Sequence, residues 1–137
     1  MYTPENITEL TPEQVFVFGS NAAGHHMGGA ARLAHEKFGA EWGVGDGLRG
    51  QSYAFPTLAK DMKQCSLIAM LMAKTDLYAT AECNPDKTFL VTKLGMGIAG
   101  HSLETMREVF QGEHPKNIIL PREFSEKLGE SVEIENE

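Results

Sequence analysis

The chain is poor in cysteine, in basic residues and in long apolar runs. Only two of its 137 residues are cysteines, Cys65 and Cys83. Two cannot build a disulfide framework, and no Cys/His spacing matches a zinc site, so no metal is expected. Both are read as free thiols, Cys65 inside a helical pattern and Cys83 near its end. No apolar run approaches the roughly 18 to 20 residues that a membrane span needs. Residues 1–6 lack the charged start and apolar core of a secretion signal. The expected location is therefore cytoplasmic, with no membrane partner. Lysine and arginine number 12 against 19 acidic residues, a formal charge of −7. Binding to nucleic acid through phosphate neutralisation is not expected of such a chain. A small anion stays open as a ligand, because backbone amides hold anions without a basic surface. A Gly-x-Ser-x-Gly elbow, a Walker lysine and a Ser/His/Asp arrangement are all absent.

What is present is an ordinary apolar content, 42%, and a length suited to one domain. Residues 1–124 are read as that domain. From Ser125 glutamates dominate, and residues 125–137 are read as an acidic, solvated tail. Residues 15–18 (Val-Phe-Val-Phe) form an apolar β-branched and aromatic run, a buried strand. A helix is expected at 28–38, with Gly39 as terminator. Five glycines fall within residues 39–51, which are read as an irregular loop. Residues 52–55 form a second strand stopped by Pro56. Helical spacing runs over 63–81, and a third strand over 88–94. Ser102 caps a third helix that ends at Gly112. Residues 117–120 form a fourth strand before Pro121.

The order β-α-β-α-β-α-β predicts an α/β domain with a largely parallel or mixed sheet covered on both faces, three layers in all. Ligands in such sheets sit beyond the C-terminal strand ends. Two glycine-rich loops lie there. The first is Gly19-Ser20-Asn21-Ala22-Ala23-Gly24, continued by His25, His26, Met27, Gly28, Gly29 and Ala30 into a helix. The second is Gly95-Met96-Gly97-Ile98-Ala99-Gly100. If their strands are neighbours, the loops face each other across one crevice. Glycine lets a backbone approach a phosphate closely, and a helix N-terminus favours negative charge.

These two loops resemble the ligand loops of macrodomains: asparagine-alanine, glycines and a helix in the first, and a strand ending in glycine-x-glycine-hydrophobic-x-glycine in the second. Residues 14–122 also resemble a group of small phage-associated bacterial proteins. The resemblance implies a macrodomain-like fold and a ligand such as ADP-ribose or a related nucleotide diphosphate, with hydrolysis of an ADP-ribosyl derivative as an open possibility. It implies that Asn21 meets the distal ribose, that amides of Gly28, Gly29 and Ala30 meet one phosphate, and that amides from Gly95 to Gly100 wrap the diphosphate. The pattern departs from the family in two places. No aspartate follows an early strand to read adenine, and Ala99 stands where an aromatic is usual.

No catalytic residue is assigned. Asn21, His25, His26 and Lys93 are candidates, the histidines because their pKa lies near neutrality and Lys93 because it adjoins the second loop. Asp46, Arg49 and Gln51 are weighed as a lid against plain surface solvation. Trp42 and Tyr53 are weighed as base-stacking rings against core packing. No cofactor is expected, and oligomeric state is not readable. The alternative to ligand binding is a non-enzymatic structural or interaction protein.

Overall fold

The apolar run at 15–18 lies inside a longer strand, β1 (Gln14–Asn21), in the computed structural model, which describes residues 1–125. Its side chains alternate between two cores. Val15 and Val17 join one cluster, while Phe16 and Phe18 join another with Ala34, Phe38 and Ala54. A strand apolar in both directions needs cover on both faces, and β1 has it. The helix α1 (Gly29–Lys37) contributes Ala34 to the second cluster. Small side chains there let the helix lie close to the sheet.

Four more strands and three more helices follow among the described residues: β2 (Gly47–Arg49), β3 (Ser52–Leu58), α2 (Leu67–Cys83), β4 (Thr88–Val91), α3 (Leu103–Phe110), β5 (Ile118–Ile119) and α4 (Arg122–Ser125). The sheet order is β2-β3-β1-β4-β5. β1 pairs in parallel with β3 and β4, and β4 with β5, while β2 runs antiparallel to β3. The chain is thus an α/β fold with a mixed sheet. Met70, Leu77, Met106, Val109 and Phe124 of the later helices pack on Val15, Val17, Phe55 and Phe89 in the larger core.

Several expected boundaries shift. Residues 39–51 are not wholly irregular, because Leu48 pairs with Tyr53 in a β2–β3 hairpin. Glycine density hid a short strand whose partner supplies the order. Pro56 does not stop β3, which runs to Leu58 with Pro56 opposite Ser20. β2 accompanies β3 only as far as Ala54, so the proline lies past that pairing, where a missing N–H is tolerated. α2 begins at Leu67, where Ser66 Oγ accepts from the Ala69 amide. The preceding residues turn back on β3 instead, and Cys65, expected in the helix, donates its amide to Thr57 O at 3.0 Å. β4 ends at Val91, after which Thr92 N and Oγ1 both donate to Val17 O, at 3.1 and 2.8 Å. Ser125 belongs to α4. The acidic stretch beyond it lies outside the described residues. Among those described, no helix is long and apolar enough to cross a membrane.

Candidate ligand cavity

Because β1 and β4 are neighbours, the loops that follow them face each other. Between them opens a cavity of about 730 Å³, within the size range of small-molecule sites. One wall is the first loop, with Gly19, Ser20, Asn21 and His25 leading to Gly28, Gly29 and Ala30. The opposite wall is Gly95, Gly97, Ile98 and Ala99, and Lys93 lies beside it. The expected juxtaposition of the two loops is therefore present. Gly24, His26, Met96 and Gly100 do not line the cavity.

The first wall is held by its own side chains. Asn21 Nδ2 donates to His25 O at 2.9 Å, and the His25 amide donates to Asn21 Oδ1 at 3.0 Å. Asn21 thus closes the loop with both ends of its amide while still lining the cavity. Gly24, at φ +74°, has Val44 N only 2.3 Å from where a Cβ would stand, and Gly45 has Asn21 O at 2.2 Å from its own. The stretch around residue 44 is therefore pressed against the first loop. Ser20 Oγ ties the same two stretches by donating to Gly45 O. The loop then enters α1 through Gly28, which is extended (φ −157°) and provides no side-chain cap, and the first turn carries no acidic residue. Helix amides at such an end have no side-chain acceptor of their own.

The second wall is braced from behind. His101 is buried, its Nε2 lies 2.9 Å from Thr57 O, and its amide donates to Gly95 O at 2.8 Å. Gln64 Nε2 donates to Ala99 O at 2.7 Å. Gly95 (φ +85°) packs so closely that a Cβ would fall 2.8 Å from Met106 Sδ. Here α3 is self-capped, with Ser102 Oγ accepting from the Thr105 amide and Glu104 in the first turn.

The two loop histidines part company. His25 is exposed on the cavity wall, its ring stacked on Trp42 at 5.3 Å between centroids. His26 is 2% exposed, packed edge-on against Phe18, with Nε2 2.8 Å from Glu41 O and Nδ1 without a partner among the described residues. It supports the wall from behind. Trp42 stacks on His25 and meets His26 and His35 edge-on, and Tyr53 is buried in the larger core, where burial pushes its hydroxyl up to about 12. Asp46, Arg49 and Gln51 stand away from the cavity. Arg49 pairs with Glu41 at 2.7 Å, and Gln51 Nε2 donates to Thr11 O at 2.9 Å. Burial, with Asp76 nearby, holds Asp46 above the usual carboxylate range.

Among the described residues, Lys93 is the only lysine or arginine on the cavity lining. Its ammonium sits 2.9 Å from Glu123 and 3.5 Å from Glu5. The hydrogen bond to Glu123 raises its pKa, and the same bond lowers that of Glu123. Lys93 is therefore a fixed cation at neutral pH, suited to meeting an anion and unsuited to acting as a base. Among the described residues no His/Cys/Asp/Glu group could hold a metal ion.

Two parts of the cavity went unforeseen. Residues 5–8 pass over it as a strap, with Glu5, Asn6, Ile7 and Thr8 all on the lining. The strap is anchored at Thr3, whose amide and hydroxyl both reach the end of β5, and at Thr8, whose carbonyl accepts from Lys37 Nζ at 2.9 Å. Met62 also lines the cavity, in the left-handed region at φ 67°. Nothing local in a polar lead-in marks a strap; only the tertiary path does. No family model, curated protein or solved structure matches the chain.

Proposed function

We propose that the chain binds ADP-ribose or a related nucleotide diphosphate in the cavity between the two glycine loops. One observation carries this reading. Gly28 and Gly97 lie on opposite walls of the cavity, and the fold does not require either to be glycine. Neither has a positive φ, and a Cβ added at either would meet nothing within 4 Å. Glycines that neither packing nor backbone geometry demands, facing one another across a cavity, suit a ligand whose charged atoms touch the backbone. The uncapped start of α1 supplies amides and a positive dipole end for one phosphate. Lys93 supplies a positive charge on the lining, shared with the carboxylates of Glu5 and Glu123. The macrodomain resemblance names a ligand with these needs.

The arrangement favours binding over catalysis. The cation is held protonated, His26 is behind the wall, and His25 is the remaining imidazole on the lining. Titration calorimetry with ADP-ribose tests the reading. Binding is expected for the native chain and lost in Gly97→Glu, which places a carboxylate in the open space beside the backbone. A native chain whose melting temperature is unmoved by ADP-ribose and by common nucleotides overturns it. Incubation with ADP-ribosylated protein and ADP-ribose-1″-phosphate, with product analysis, reports any hydrolysis.

A further inference from the structure

The strap over the cavity makes one contact that an anionic ligand would have to break. Residues 4–7 span the distance between the anchors at Thr3 and Thr8, and among the described residues no backbone hydrogen bond holds that span. Two side chains hold it instead. Ile7 is half-buried and packs on the smaller core. Glu5 reaches the ammonium of Lys93 at 3.5 Å. Lys93 is thereby flanked by two carboxylates, the other being Glu123 at 2.9 Å. An anion that approaches this lysine from the cavity meets a carboxylate already in place.

The two carboxylates are not equivalent. Glu123 belongs to α4, its own carbonyl accepts from Arg107 Nε at 2.7 Å, and its side chain is 34% exposed. Glu5 rides on the strap, makes the longer pair and is 75% exposed. Glu5 lines the cavity and Glu123 does not. Of the two, only Glu5 stands between Lys93 and a ligand there.

We propose that the strap is autoinhibitory: Glu5 is a built-in carboxylate that holds Lys93 until a phosphate-bearing ligand displaces it. This rests on the proposed reading of the cavity as an anion site and adds a gate to it. Displacement is cheap in both of its parts. A solvent-exposed ion pair is weak, and a span without backbone hydrogen bonds shifts without breaking any. Glu5 and Lys93 also border a second cavity, of about 490 Å³, so the displaced side chain has room. Lys93 stays cationic when Glu5 leaves, because its pKa is raised chiefly by the hydrogen bond to Glu123. A ligand carrying a single carboxylate would only exchange one such pair for another. A diphosphate brings more charge to the ammonium, so the strap admits multiply charged anions ahead of singly charged ones.

Calorimetry and amide chemical-shift mapping on the full chain, with ADP-ribose and with inorganic pyrophosphate, compare the native protein with Glu5→Gln and Glu9→Gln. Glu9 is exposed on the same lead-in and lines neither cavity, so Glu9→Gln removes the same charge without freeing Lys93. Glu5 is exposed as well, and both variants keep the fold. Glu5→Gln is expected to bind both probes about two- to fivefold tighter than native, the scale of one exposed ion pair, although it removes a residue from the cavity lining. Glu9→Gln is expected to bind as native does. In native and Glu5→Gln alike, the probes are expected to shift the amides of Gly28 and Gly97. A Glu5→Gln affinity equal to native or weaker, or an equal gain in Glu9→Gln, overturns the gate and leaves the anion site intact. Silence at Gly28 and Gly97 with both probes, in native and in Glu5→Gln, overturns the reading of the cavity and this inference with it.

Discussion

The two walls of the cavity use the same residue type for opposite purposes. Behind the first wall, Gly24 and Gly45 are glycine because two stretches of backbone touch, and on the wall itself Gly28 is glycine without any such contact. In the second, Gly95 is pinned against Met106, and Gly97 stands open. The helices that leave the walls differ as well. α3 is capped by Ser102 and carries Glu104 in its first turn, so its N-terminus is already answered. α1 has neither a capping side chain nor an acid there. A second acceptor-hungry helix end would gain little, since α3's amides are partly used by its own serine. The proposed anion site is thus asymmetric. One wall contributes a helix end and the other contributes bare backbone, and each wall carries its own structural glycines to hold that offer in place.

Four substitutions, with Gly97→Ala as the control for the first, test this division in falling order of effect on stability. Gly45→Ala comes first. Its methyl would overlap Asn21 O and Ala22, both backbone atoms that cannot swing aside. A loss of about 3 kcal/mol is expected in denaturant unfolding, the upper range for overpacking. Gly97→Ala, read in the same assay, is expected to cost almost nothing, and equal losses would break the comparison. Asn21→Ala comes next. It removes both hydrogen bonds that close the first loop, so about 2 kcal/mol is expected to go, at about 1 kcal/mol per bond. ADP-ribose affinity should fall with it, because His25 and Met27 lose their anchor. Unchanged stability would mean that Asn21 serves the ligand and not the loop. Ser102→Ala is third. It uncaps α3 and is expected to cost about 1 kcal/mol. Titration should show ADP-ribose affinity unaltered, since Ser102 does not line the cavity.

How much of this was readable beforehand follows from the same contrast. The alternation of strands and helices was legible because residues 15–18, 88–91 and 118–120 are short apolar runs between turn signals. The meeting of the two glycine loops needed one fact that the chain order does not carry, the pairing of β1 with β4. β2 escaped because its order comes from Leu48 against Tyr53, a tertiary pairing inside a glycine-rich stretch. The strap over the cavity escaped for a like reason, since its anchors at Thr3 and Thr8 are backbone contacts to distant residues. His26 stands as a candidate in the sequence because its imidazole falls in a glycine-rich loop, and nothing nearby in sequence reveals Phe18 and Glu41 around it. Among the glycines the limit is sharpest. Gly24 and Gly28, or Gly95 and Gly97, are the same letter in the same loop, and only the space around each separates a packing glycine from one that leaves room for a ligand.

Gly28→Asp is the fourth and smallest in stability, and it probes that separation directly. The position is extended and open, so a side chain fits without displacing its neighbours. Aspartate there caps α1 and lies at the positive end of its dipole, and a gain of about 0.5 kcal/mol is expected on unfolding. The same carboxylate would occupy the place proposed for a phosphate. Calorimetry should then show ADP-ribose binding weakened by tenfold or more (about 1.4 kcal/mol) in a chain more stable than the native one. Stability and affinity moving in opposite directions is the signature of a helix end left uncapped for a ligand. If both rise, or if affinity holds while stability rises, the start of α1 is an ordinary frayed end and the anion must sit against the second wall alone.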